Sequence, residues 1–378
     1  MNIWVDAIIN SLLTALKNPL TYWALFMSFF VVHYVRHRQK TFFRKTLNDY
    51  KTTWFQTNKI ALLGSLLVSG LSYVFGFIFT YEIIVILTVI TFILSIGFRT
   101  KFLSSTYILG FTYFLMLPTF INFFQYEAKS LLISITFIVA IFLFIEAFEL
   151  HRIKTRHFTP EVTYSKRGTI IGQFSIERFF IVPFFVFVPE GDLSPLIPLL
   201  PFGSTSYDIA FIPFIFGFNY RANDELPQVV IHKIKKQTIT LASVILIGSI
   251  LSIYVSYLTF IVMAVAIIGH LYIQSSNTVE ENCLQASFLS MAKEPIVFWV
   301  EKGSIAESVG LEVGDQIIAI NDQSIHHTND FDSYLLNHHA DEYHITILNS
   351  KQEEVQLTIE NKNKNRHQLG LHFIDQYD

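Results

Sequence analysis

The sequence predicts an α-helical polytopic membrane domain of about 7–9 spans, followed by a small α+β domain. Of the 378 residues, 52% are hydrophobic and only 15% are charged, unlike an ordinary soluble domain. Apolar stretches long enough for membrane helices recur from Leu20 to Ile273. From Gln274 onward the chain is polar and alternates apolar with polar residues. We therefore expect a membrane domain over residues 1–273, a linker over 274–292 and a soluble domain over 293–378.

The apolar runs of the first domain predict seven regular spans and one irregular stretch. An interfacial helix over residues 3–16 is expected to lead into the first span. The regular spans are expected at about 19–35, 60–79, 82–98, 103–124, 131–150, 238–255 and 257–273.

The irregular stretch, 179–219, is expected to form two helical crossings or a re-entrant pair, with a turn at Glu190, Gly191 and Asp192. Proline removes a backbone donor and breaks a helix, and prolines recur at Pro183, Pro189, Pro195, Pro198, Pro201 and Pro213. Broken helices could line a transporter cavity. The alternative is a simple extracytoplasmic turn between two short packed helices.

The basic residues predict the orientation of the chain. If segments 36–59, 99–101, 151–178 and 220–236 are cytoplasmic together with the C-terminal domain, 25 of the 27 Lys and Arg lie inside. Such an asymmetry is the positive-inside signal of a cell-membrane protein. We expect a multi-pass protein in contact with the lipid bilayer, with the N-terminus outside and the C-terminal domain in the cytoplasm.

A few ionisable residues lie within or beside the predicted spans. A carboxylate inside a membrane is a functional hypothesis by default. Glu82 lies at a predicted turn and Glu149 near a membrane edge beside Arg152, so interfacial placement explains both. Glu146 and His270 lie deeper, and for them a proton relay is the alternative to a structural role.

The motifs of common enzymes are absent from the sequence. It contains no His-Glu-x-x-His, Gly-x-Ser-x-Gly, Walker A or dinucleotide-binding pattern, so we predict no enzyme and no cofactor. The pairs His326-His327 and His338-His339 are interpreted as polar surface, and no metal site is expected. The single cysteine, Cys283, excludes an intramolecular disulfide. A net charge of −3 provides no basic field for nucleic acid.

The C-terminal domain has turn residues at the spacing expected of a small α+β fold. Gly303 and Ser304 begin a turn, Gly310 can end a helical turn, and Gly314 with Asp315 forms the next turn. Alternating and amphipathic runs predict strands at 296–300, 316–321, 343–348, 353–359 and 369–374 and a helix at 329–337.

This pattern resembles bacterial PDZ domains of the circularly permuted type. Their series of Gly-Ser-Pro-Ala, Gly-Leu, Gly-Asp and Asn-Gly is matched here by Gly303-Ser304-Ile305-Ala306, Gly310-Leu311, Gly314-Asp315 and Asn321-Asp322. The chain departs from that series at Ile305 and Asp322, and both changes suit a turn.

The resemblance implies a groove that binds an extended peptide as an added strand. On that basis Leu369, Gly370 and Leu371 would hold the terminal carboxylate through their amides, and His372 and Phe373 would continue the groove strand. The apolar pocket would be shaped by Leu371, Phe373, Phe331, Tyr334 and Leu335.

The whole-chain plan resembles the MinJ family of Gram-positive bacteria, membrane proteins that bridge the polar scaffold DivIVA to the division inhibitor MinD. Segments Thr159-Pro160, Ser165 to Gly168 and His367 to Leu371 also look like that family. The resemblance implies an adaptor that recruits DivIVA-like and MinD-like proteins to the septum or poles. The alternatives are a transporter or channel with a regulatory PDZ domain, and a partner of a membrane protease.

Overall fold

A computed structural model describes residues 3–43, 50–96, 100–117, 126–153, 158–164, 170–193, 207–222, 227–279, 295–301, 303–338, 340, 342–349, 353–360 and 369–373. Cys283 and most of the predicted linker lie outside these residues. The first domain contains the helices α1 (Ile3–Lys17), α2 (Pro19–Phe43), α3 (Tyr50–Phe75), α4 (Tyr81–Ser95), α5 (Ser105–Met116), α6 (Tyr126–Arg152), α7 (Pro227–Tyr254) and α8 (Leu258–Val279). Each of the seven regular apolar runs is therefore helical over most of its described residues.

Three helices of the described chain are long and apolar enough to cross a membrane. These are Lys129–Arg152, Gln228–Tyr254 and Leu258–Ser276. Ala61–Phe75, Tyr81–Ser95 and Ser105–Met116 are apolar but shorter. The first domain is thus mostly helical, and the expected number of spans is not confirmed. Helix α8 also continues to Val279, past the boundary that composition predicts.

The prediction of helical crossings over 179–219 is wrong. This region belongs to an antiparallel sheet in the order β1 (Thr159–Tyr164), β2 (Ile170–Leu193) and β3 (Tyr207–Ala222). The expected turn at 190–192 instead falls in a register irregularity near the end of β2, and Pro195, Pro198 and Pro201 lie outside the described residues. Phenylalanine, valine and isoleucine favour extended structure, and Pro183 and Pro213 lie opposite each other in the strand pair.

Helices of the membrane domain pack against the β2–β3 hairpin. The Phe142 ring of α6 has its centroid 5.6 Å from Phe184, 4.6 Å from Phe214 and 5.7 Å from Phe216. Helix α3 packs on β2, and α1 packs on β3. Because both faces of the hairpin are largely buried, most of its side chains are apolar and the polar alternation of a surface strand is lost.

The hairpin brings two basic segments to one end of the domain. Its antiparallel register pairs Ser175 with Arg221, so the chain that enters β2 and the chain that leaves β3 lie side by side. At the same end, the Thr100 hydroxyl donates to Glu177 Oε1 over 2.6 Å. The parts of the chain on either side of this apolar stretch therefore meet at one end.

The C-terminal domain has a hydrophobic core of its own, formed by residues from Val297 to Phe373. Its elements are β4 (Val297–Val300), α9 (Ile305–Val309), β5 (Gln316–Ile320), β6 (Gln323–Ser324), α10 (Thr328–Asn337), β7 (Glu342–Leu348), β8 (Glu354–Glu360) and β9 (Leu371–Phe373). One sheet has the order β6-β5-β7-β8 and the other pairs β4 with β9. All the predicted elements of this domain are present.

Replacing Phe142 tests the packing of the hairpin. We expect Phe142→Ala to lower the free energy of unfolding by about 3–5 kcal/mol, because it leaves a cavity among buried rings. Phe148→Ala, at an exposed position on the same helix, is the matched control and should change it much less. Thermal unfolding of the full-length protein in detergent measures both. Equal losses would show that the hairpin does not pack on α6 in this way.

Candidate functional site

In the part of the chain that the structure describes, one edge of the groove strand β9 has no strand partner. It pairs antiparallel with β4, with Val297 opposite Phe373 and Val300 opposite Leu371. Among the described residues, β4 is its only strand neighbour. An extended peptide could therefore add to the other edge of β9 through main-chain hydrogen bonds.

The Gly314-Asp315 turn holds β4 in place. The Val297 amide donates to the Asp315 carbonyl over 2.8 Å, and the Gly314 amide donates to the Val297 carbonyl over 2.9 Å. The Asp315 carboxylate accepts the Glu312 amide over 2.8 Å. Burial raises the pKa of Asp315, and the Glu312 amide lowers it by a smaller amount.

The backbone of Leu369 and Gly370 is fixed by its carbonyls. The Leu369 carbonyl accepts the Ala306 amide over 3.1 Å, and the Gly370 carbonyl accepts the Glu301 amide over 2.8 Å. No acceptor for the Leu369 or Gly370 amide is found in the part of the chain that the structure describes. These amides are thus available to an anion such as a terminal carboxylate.

Gly370 is constrained by two features. Its φ of +71° lies in the left-handed region, and a Cβ there would overlap the Ser304 side chain. Glycine is therefore required by backbone conformation and by contact with Ser304. Ser304 was not predicted as a site residue, although its place in the Gly-Ser motif was the available signal.

The predicted pocket residues divide into two groups. The Phe331 and Phe373 rings meet edge to face with centroids 5.2 Å apart, and Leu335 and Leu369 belong to the same buried cluster. Leu371 packs against that cluster and is only partly buried. Helix α10 therefore packs over the groove strand, with Leu371 as its most accessible apolar side chain.

Tyr334 and His372 have contacts beyond the groove strand. The Tyr334 hydroxyl accepts from Asn321 Nδ2 over 3.2 Å, and its ring stacks on His338. His372 Nε2 lies 3.2 Å from Glu301 Oε1. Tyr334 thus ties α10 to the turn after β5, while Glu301, which was not predicted as a site residue, ties β9 to the end of β4.

The outer side of β4 packs on the first domain. Phe298 and Trp299 are buried in the hydrophobic cluster of the membrane domain, whereas Val297 belongs to the C-terminal core. The Phe298 ring centroid is 5.2 Å from that of Phe174, near the start of β2. The C-terminal domain is therefore docked on the basic end of the first domain through the strand next to the groove strand.

Beside this contact lies a cleft of about 660 Å³ between the two domains. Its membrane-domain wall includes His151, His232 and Lys235. The opposite wall includes Glu307 and Glu312. Lys235 therefore lies across the cleft from the two glutamates, and these opposite charges favour the docked arrangement.

Comparison with known proteins agrees with this geometry. Residues 296–349 match the family model of the PDZ domain, which covers β4 to β7 and α10. The chain is 21% identical over 307 residues to the cell division topological determinant MinJ of Bacillus subtilis strain 168. The aligned region covers 79% of this chain and 77% of that protein.

The chain is MinJ-like. The aligned length far exceeds the 54 residues of the PDZ match, so this MinJ-like chain shares more with its relative than that domain alone.

Two glycines with positive φ provide a matched test of the loop that contains Gly370. Alanine at either position is strained by about 1–2 kcal/mol, but only at Gly370 does the new Cβ overlap another side chain, whereas Gly303 has no atom within 4 Å. We expect Gly370→Ala to destabilise the PDZ domain clearly more than Gly303→Ala. Chemical unfolding of fragment 293–378 measures the difference, and equal effects would contradict the Ser304 contact.

The raised pKa of Asp315 predicts a pH dependence. The folded state holds this proton more tightly than the unfolded state, so stability should fall as pH rises from about 4 through the raised folded-state value. Asp315→Asn keeps an acceptor for the Glu312 amide and should weaken this dependence. The measurement is chemical unfolding of fragment 293–378 and of its Asp315→Asn variant at a series of pH values. If Asp315→Asn leaves the slope of stability against pH unchanged, the pH dependence comes from other groups.

Proposed function

We propose that this chain is a membrane-embedded adaptor that binds protein partners through its PDZ domain and recruits division proteins to the septum or the poles. The observation that carries the proposal is the free edge of β9, which begins at the glycine loop with available amides. The function is binding, and no chemistry is assigned to the site.

A peptide would bind by extending the β4–β9 sheet. Its backbone would pair with Leu371 to Phe373, which provides affinity without regard to sequence. Its terminal carboxylate would accept the amides of the Leu369-Gly370 segment. Selectivity would come from apolar contact with Leu371 above the Phe331–Phe373 pair, so the preferred partner ends in an apolar residue.

Similarity to MinJ supports the division role. The relative is named as a cell division topological determinant, and the alignment includes the membrane domain. The resemblance makes DivIVA-like and MinD-like proteins the expected partners. The adaptor would then place these proteins at the membrane through one docked domain.

The orientation is part of the proposal. We infer a cytoplasmic PDZ domain and an N-terminus on the outside, because 25 of the 27 basic residues then lie inside. Docking of Phe298 against Phe174, near the basic end of the hairpin, is compatible with this arrangement. A transporter is no longer favoured, because the broken helices that motivated it are strands packed by Phe142 and its neighbours.

A charge in the groove tests the proposal. We expect Leu371→Arg to abolish enrichment of a fluorescent fusion at septum and poles, since arginine would replace the accessible apolar contact. Gln356→Arg, at an exposed position on β8 away from the groove, is the control and should retain the enrichment. Imaging of full-length fusions in dividing cells is the measurement.

Membrane levels of both variants must match the parent protein, which immunoblotting checks. Uniform membrane distribution of the parent itself, unchanged through division, would contradict the division role. Normal localisation of Leu371→Arg, with the parent enriched at septa, would instead contradict the groove as the targeting site.

A further inference from the structure

A polar cluster is buried in the membrane domain, away from the PDZ groove. Glu146 of α6, His270 of α8 and Tyr107 of α5 meet there, with Tyr220 of β3 beside them, and each is at most 3% exposed. His270 Nε2 lies 3.4 Å from Glu146 Oε1, and the Tyr220 hydroxyl donates to that same oxygen over 2.8 Å. The cluster thus joins three helices and a strand around one carboxyl group.

The hydrogen positions follow from a backbone carbonyl at one edge of the cluster. The Lys101 carbonyl can only accept, so the Gln274 side chain must turn its Nε2 toward it, at 3.1 Å. Gln274 Oε1 therefore faces Tyr107 and accepts its hydroxyl proton over 3.0 Å. The Tyr107 oxygen can then only accept from His270 Nδ1, 3.1 Å away, which fixes a proton on Nδ1.

This leaves His270 Nε2 facing Glu146 Oε1 and the Ser104 hydroxyl, the latter 3.2 Å away. If neither Nε2 nor Glu146 carried a proton, a lone pair would face a carboxylate in an apolar interior. Glu146 Oε2 has no hydrogen-bond partner among the described residues, so such a carboxylate would be poorly compensated, at a cost of several kcal/mol. One proton between Nε2 and Oε1 removes that penalty.

We propose that Glu146 and His270 form a proton-binding site, in which one exchangeable proton is held between α6 and α8. The pair is neutral overall, as imidazolium with carboxylate or as imidazole with carboxylic acid. Without that proton, the His270 Nε2 lone pair and the Glu146 carboxylate would repel each other between α8 and α6. This inference does not depend on the proposed adaptor function.

Other charged groups lie close enough to influence the site. Glu149, one turn further along α6, is within Coulombic range of Arg178 and Arg152. The next residues of α6, Leu150 and His151, line the cleft against the PDZ domain, so a shift of this helix end would reach the docked domain.

Infrared difference spectra of the full-length protein in lipid nanodiscs test the site. Spectra recorded in H2O and in D2O should differ by the bands of an exchangeable proton coupled to both the Glu146 carboxyl and the His270 imidazole. We expect this signal to disappear in both Glu146→Gln and His270→Gln and to persist in the matched control Glu149→Gln. Glu146→Gln keeps the shape of the side chain and an acceptor for Tyr220.

Tyr220→Phe keeps the proposal testable if either of those variants fails to fold. Removing the hydroxyl that donates to Oε1 should preserve the exchangeable-proton signal and change the frequency of its carboxyl component. A Glu146→Gln spectrum identical to that of the parent would overturn the proposal. So would a signal that survives in His270→Gln, or a carboxyl component that Tyr220→Phe leaves unchanged.

Discussion

The position of strand Val297–Val300 between the two domains is the constraint on which the arrangement of this protein depends. Val297 packs into the PDZ core, and Phe298 packs on the membrane domain against Phe174. One edge of the strand pairs with the groove strand Leu371–Phe373. A single short strand thus fixes the orientation of the PDZ domain and supports the strand that would receive a peptide. Displacing it would affect docking and binding together.

The membrane domain is organised around helix α6, which is buried along most of its length. One part of this helix packs Phe142 on the rings of the hairpin, and the part near its C-terminal end carries Glu146 and Glu149. Apolar packing provides little directional information among so many phenylalanines, whereas a buried hydrogen-bonded pair is costly to misplace. The Glu146–His270 contact therefore also fixes how α6 and α8 align.

Sequence patterns predicted the helices and the PDZ elements well because each has local signals. Apolar runs of sufficient length identify spans, and Gly310 and Gly314 mark turns with a positive φ that few other residues accept. The hairpin was not predictable in the same way. Burial on both faces removes the alternation of polar residues, and prolines that break helices are also compatible with the strand pair of Pro183 and Pro213.

The tertiary contacts around the candidate groove could not be predicted for a related reason. Motifs locate Gly370 and the groove strand, but the contact of Gly370 with Ser304 is tertiary and has no local signature. Docking did leave a signal in the uninterrupted apolar run from Ile296 to Val300, because a strand exposed on one face would alternate. The hydrogen-bond directions around His270 depend on the Lys101 carbonyl, which only the folded chain brings near.

Cysteine cross-linking tests the docked arrangement most directly. In a chain with Cys283→Ser, Phe174→Cys and Phe298→Cys, a cleavable protease site would be placed within residues 280–294, between the two domains. If the PDZ domain is docked through Phe298, oxidation in membranes should hold the two fragments together after cleavage, whereas the pair Phe174→Cys and Gln356→Cys should not. Fragments that separate after oxidation, although both cysteines react with maleimide, would contradict this docking.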